Sequence, residues 1–216
     1  MSASRKLVEL RNLLEERFPQ LPRPRNAQLS TGISALDELT AGGLPRGAIT
    51  EIIAPQWSAG SASVTCALLQ MACTDGSFLA LVDGRDSFDP EPVGQARLRH
   101  LFWVRCRSAM EALKAADLLL RDGNFPLVIL DLVLNRAEEL RKIPATSWYR
   151  LQRLVEPAPT AFVVLTRRGM ISSAQVKIVL ENQWTLADLA REWSPADWKM
   201  RSQRGAGSRL QLTEAG

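Results

Sequence analysis

The segment best placed for chemistry is Ala54-Pro55-Gln56-Trp57-Ser58-Ala59-Gly60-Ser61-Ala62, between a β-like run and an apolar helical one. A loop at such a junction wraps phosphate with its backbone N–H groups. A working loop of the form GxxxxGK[ST] also needs a lysine for the β- and γ-phosphates and a hydroxyl for magnesium. Here Ala54 stands at the first glycine, Gly60 comes one residue late, Ser61 takes the lysine position and Ala62 the hydroxyl position. Moving the register by one leaves Ala59, Gly60 and Ser61, which restores no cation. No lysine occurs between Lys6 and Lys114. A triphosphate carries about four negative charges, so weak binding and no hydrolysis are expected.

Other reactive side chains are sparse. His100 is the single histidine, which excludes a multi-histidine metal site. Cys66, Cys73 and Cys106 form no CxxC, which argues against a cysteine zinc site, and no metal is expected. Three scattered cysteines suit a reducing compartment. Cys66 and Cys73 share one helix face and read as core. Asp131 closes an apolar run, either as a magnesium ligand or as a remnant that caps a local loop. Arg85 either pairs with Asp86 or Asp89 or reaches into the nucleotide site. Trp57 either fills the space of the missing phosphate or meets a partner.

Basic residues gather at Arg97, Arg99, Arg105 and Arg107, at Arg167-Arg168, and at Lys199, Arg201, Arg204 and Arg209. They are either solvated surface or phosphate contacts. The candidate DNA contacts are Arg105, Arg107, Arg167, Arg168, Arg204 and Arg209, giving weak, sequence-independent binding. Trp184, Trp193 and Trp198 concentrate half of the chain's six tryptophans and are candidate partner contacts. So are Leu10, Leu14 and Phe18, on one face of an amphipathic helix that Pro19 stops.

The elements that must hold these residues follow from periodicity. Leu21-Pro22-Arg23-Pro24-Arg25 is an extended linker. Strands are expected at Ala48–Ile53, Phe78–Val82, Leu101–Arg107, Leu127–Leu130 and Ala161–Leu165, and helices at Ser61–Cys73, from Ser108 to near Gly123, and at Ser147–Val155. Ser108 and Glu111 form a capping-box pattern. Val176–Leu180 and Arg209–Leu212 read as short strands of an antiparallel extension, and Lys199–Gly207 as a loop. The fold class is therefore α/β, a mostly parallel twisted sheet with helices on both faces. Three parts are expected: residues 1–27, helix and linker; 28–182, the core; and 183–216, a Trp- and Arg-rich extension.

Composition agrees with a folded domain. The chain has 216 residues, 46% of them hydrophobic, and a net charge of +4 from 27 basic and 23 acidic residues. Its pI near 9.3 makes nucleic acid a plausible ligand without showing one. No apolar run is long enough to span a membrane and no signal peptide is recognisable, so a cytoplasmic protein is expected.

Ser30-Thr31-Gly32, Leu36-Asp37, Gly42-Gly43-Leu44-Pro45-Arg46-Gly47 and Ile49-Thr50-Glu51-Ile52 resemble, in order and spacing, the opening of the RecA/RadA recombinase core. The likeness covers about residues 28–182. It implies a RecA-like core, in which Arg85 stands where the family carries a water-activating glutamate and Asp131 matches the Walker B aspartate. The vestigial nucleotide site would then comprise Ala54, Pro55, Gly60, Ser61, Ala62, Arg85 and Asp131, with no catalytic residue and no cofactor. In length and shape the chain resembles the ImuA-type accessory proteins of damage-induced mutagenesis. That likeness implies a bacterial, nucleoid-associated adaptor working with an ImuB-type polymerase-like protein and an error-prone replicative-type polymerase, with RecA as a further candidate contact; without nucleotide, a small homo-oligomer or a heteromeric complex is expected in place of an ATP-dependent filament. A nucleotide-independent DNA-binding protein and a SulA-like cell-division inhibitor are the alternatives.

Overall fold

The computed structural model describes residues 28–57, 59–185 and 198–203. The expected N-terminal helix with Leu10, Leu14 and Phe18, the linker, Trp193, Arg204, Arg209 and the expected strand at 209–212 lie outside the described residues.

The strand-rich opening is a two-stranded antiparallel hairpin, β1 (Gln28–Leu29) with β2 (Leu44–Pro45), around the short helix α1 (Ser34–Leu39). Asp37 organises it. Its carboxylate accepts from the Thr31 N–H and hydroxyl at 3.0 and 2.7 Å and from the Ser30 hydroxyl at 2.9 Å. Gly43 lets the hairpin close: at φ +136°, a Cβ there would stand 2.2 Å from the Leu29 carbonyl oxygen.

The main sheet contains β3 (Ala48–Ile53), β4 (Leu79–Asp83), β5 (Leu101–Arg105), β6 (Leu127–Asp131), β7 (Ala161–Thr166), β8 (Val176–Leu180) and β9 (Met200–Ser202), in the order β5-β4-β6-β7-β3-β8-β9. All neighbouring pairs are parallel except β8–β9. The strands of its middle are continuous apolar runs because both faces are covered. Period two divides them: Leu127, Ile129, Val163 and Leu165 face one core, and Val128, Leu130, Phe162 and Val164 the other. Helix α2 (Ser61–Thr74) covers the first face with Val64, Leu68 and Leu69. Helices α4 (Ala109–Asp122) and α6 (Ala145–Val155) cover the second with Ala112, Ala116, Leu120, Trp148 and Leu151. The short helices α3 (Gln95–Leu98) and α5 (Ala137–Arg141) complete the set.

Several expectations shift. Val176–Leu180 extends the sheet in parallel beside β3, because the short turn after β7 returns the chain to the sheet's starting edge; the antiparallel member is β9. Three residues of the expected 199–207 loop form that strand. The strand expected from Phe78 starts at Leu79, with Phe78 exposed beside His100. Ser108 caps α4 by accepting from the Glu111 N–H at 3.3 Å, but Glu111 reaches back to the Arg107 N–H at 2.8 Å, one residue earlier than a capping box requires.

Candidate functional site

Parallel strands bring Ala54, Asp83, Asp131 and Thr166 to one edge of the sheet, where α/β folds place their ligands. The Ala54 N–H donates to the Thr166 carbonyl at 2.7 Å, carrying the β3–β7 ladder one step past the strand. The chain then turns through the loop between β3 and α2, with the Ala59 N–H on the Gln56 carbonyl at 3.3 Å, and enters α2. Gly60 is the N-cap, at φ +99°.

What faces that glycine is an indole. A Cβ built on Gly60 would stand 2.9 Å from Trp184 Cη2. Trp184 meets Trp198 edge to face, with ring centroids 5.9 Å apart. Asn182, buried, donates from Nδ2 to the Ala59 carbonyl at 3.0 Å and accepts the Lys199 N–H at 2.8 Å. Chain following β8 and chain preceding β9 thus close together on the loop. Trp57 does not fill this space; it is 72% exposed. Trp184 faces Gly60, and neither register of the loop carries the lysine of GxxxxGK[ST].

The cation that the fold brings to the loop is Arg167, on its outer side. Its guanidinium lies 4.1 Å from the Trp57 ring centroid and donates to the Pro55 carbonyl at 3.2 Å. The turn carrying Arg167 and Arg168 is set by Glu51, a fully buried carboxylate on β3. Glu51 accepts from the N–H groups of Met170 at 2.7 Å and Ile171 at 3.3 Å and from the Thr166 hydroxyl at 3.2 Å, and it pairs with Lys177 Nζ at 3.1 Å. A buried charge is tolerable only when satisfied in this way.

The two strand-end aspartates are register partners on β4 and β6. Asp83 is committed to the following turn, accepting from the N–H groups of Ser87 and Phe88, both at 2.7 Å. Asp131 accepts from the Val133 N–H at 2.9 Å. Burial pushes the Asp131 carboxyl up to about 6; the Val133 N–H opposes the rise and the neighbouring Asp83 adds to it. Arg85 donates to the Arg107 carbonyl at 3.3 Å, while Asp86 forms a two-pronged pair with Arg105, at 2.5 and 2.9 Å. Beside them Asn135 bonds the Gly84 carbonyl at 2.9 Å, where a glycine Cβ would stand 2.5 Å from Asn135 Oδ1.

The structure therefore sets Gly60 against Trp184, which meets Trp198, and Pro55 against Arg167, while Ala54 stays on the β7 ladder and Ser61 and Ala62 open α2. It groups Arg85, Arg105 and Arg107 separately. Arg105 on edge strand β5 and Arg167 after β7 are three strand spacings apart, about 14 Å. Glu51, part of the motif Ile49–Ile52, and Asn182 are structural members of the site that the sequence patterns do not single out. A lone acid inside an apolar strand was the available signal for Glu51; Asn182 offered none.

The RecA N-terminal domain model matches residues 21–142. Together with the sheet order and the loop position, this identifies the class: the chain belongs to the RecA family. It is 36% identical to protein RecA of Rubrobacter xylanophilus over 111 residues, 50% of this chain and 32% of the relative. To protein RecA of Methylococcus capsulatus it is 37% identical over 109 residues, 49% of this chain and 31% of the relative. The match thus spans about a third of the length of these curated relatives.

Proposed function

We propose that this chain is a RecA-fold adaptor that works without nucleotide, of the ImuA type, in DNA-damage-induced translesion synthesis. It neither binds ATP usefully nor hydrolyses it. Its work is to bridge an ImuB-type polymerase-like protein and an error-prone polymerase, with RecA as a further contact, in the bacterial cytoplasm near the nucleoid. The observation that carries this reading is the closure of a lysine-free loop by Asn182 and Trp184. A family member whose nucleotide loop is packed against its own chain retains the fold as a scaffold for partners. No helix among the described residues is long and apolar enough to cross a membrane. The DNA-binding alternative draws less support, because the four candidate arginines among the described residues divide between two places and Arg105 is held by Asp86. The SulA-like alternative has no feature of the site in its favour.

The test is co-expression with the ImuB-type protein and error-prone polymerase of the same genome, followed by affinity purification and size exclusion. A stable complex formed equally with and without ATP is expected. A chain that elutes alone while turning over ATP would overturn the proposal.

A further inference from the structure

On the far side of the Arg167–Trp57 contact lies a cleft of about 700 Å³. Its floor is aliphatic, with Val133, Leu140, Ile143 and Met170, and Trp57 forms part of the wall. Four arginines line it, Arg136, Arg141, Arg167 and Arg168, and no Asp or Glu does. The acids of α5, Glu138 and Glu139, line a neighbouring depression with Arg85, Lys142 and Arg136, which borders both. Arg136 precedes α5 and Arg141 ends it, so they are about 7 Å apart along the helix axis. Among the described residues, the guanidinium groups of Arg136, Arg141 and Arg168 have no hydrogen-bond or ion-pair partner, whereas Arg105, Arg121, Arg150 and Arg201 each pair with an acid.

We propose that this cleft docks an acidic peptide segment carrying one large apolar anchor, a proposal that rests on the adaptor reading and assigns it a surface. A volume of this size accepts a Leu, Phe or Trp side chain on the aliphatic floor. The guanidinium forks at the rim match carboxylates in two-pronged geometry. Apolar anchor and charged rim together are the pattern of short-segment recognition. A single nucleic-acid strand fits less well. Successive bases need successive aromatic platforms, and of the two aromatic residues here Trp148 is 2% exposed and Trp57 is covered on one face by Arg167.

The experiment selects a displayed library of random peptides on the full chain. Binding of the enriched peptides is then measured on the wild type and on the Arg136→Ala, Arg141→Ala double variant, whose fold is checked by circular dichroism. Enrichment of Asp- and Glu-rich peptides around one Leu, Phe or Trp is expected. Their affinity should fall by about tenfold or more on the double variant, and equally when Ser replaces the anchor. No enrichment overturns the proposal. So do peptides that bind both proteins alike, and so does a labelled oligothymidylate that binds through the same arginines more tightly than any peptide. The co-expressed complex separates the two readings. If the wild type forms no complex while peptides bind the cleft, the adaptor reading alone fails. If the double variant keeps the complex and the peptides, the cleft fails.

Discussion

The indole of Trp184 lies against the α-carbon of Gly60, so closely that a single added carbon would stand 2.9 Å from the ring. Gly60 also sits at φ +99°, which L side chains rarely adopt. Both facts work against a side chain at the entrance of α2.

Gly60→Ala is therefore expected to destabilise the fold by about 1–3 kcal/mol, from backbone strain plus the clash. In a Trp184→Ala background only the strain should remain, so the second cost should be smaller. Denaturant unfolding of the four proteins in a double-mutant cycle checks this; equal costs in both backgrounds would remove the contact from the account.

Glu51 holds the Arg167–Arg168 turn through two backbone N–H groups and Lys177. Glu51→Ala should cost about 3–5 kcal/mol, because it leaves Lys177 and two amides without their acceptor. Hydrogen exchange should show Met170 and Ile171 losing protection well before the strands do. Protection unchanged in a folded variant would contradict the anchoring role.

Asp131 gives a pH dependence with a definite sign. Its folded pKa, about 6, lies above the unfolded value of about 3.9. The folded chain therefore holds this proton more tightly, and the contribution to stability is greatest below about pH 4 and declines as the pH rises to about 6. Asp131→Asn keeps an oxygen for the Val133 N–H and removes the half-buried charge. It should raise stability at pH 7 by roughly 1–3 kcal/mol and flatten the profile between about pH 4 and pH 6. Urea melts across that range are the check, and a variant less stable at pH 7 with an unchanged profile would contradict it.

Asp37 is a structural acid within the motif that marks the family. Asp37→Ala should cost about 1–3 kcal/mol through the lost bonds to Thr31 and Ser30. Asp37→Asn should cost less, since it retains one acceptor. A neutral Asp37→Ala melt would show that the hairpin is held by packing alone.

The parallel core was legible because β6 and β7 are buried on both faces, so their residues had to be apolar without interruption. Helix α4 was legible from Ser108 and Gly123, its cap at each end. The parallel pairing of β8 was not, since a five-residue strand carries no sign of its neighbour's direction. Loss of the loop lysine could be read directly, as it needs only identity and position. Its closure by Asn182 and Trp184 could not, because those contacts join residues more than a hundred positions apart and no local pattern encodes them.

Whether this RecA-fold chain works without nucleotide is decided by calorimetric titration of the full chain with magnesium ATP. Affinity weaker than roughly 1 mM, worth under about 4 kcal/mol, is expected, with no phosphate released over hours. Saturable binding at micromolar concentration would contradict it.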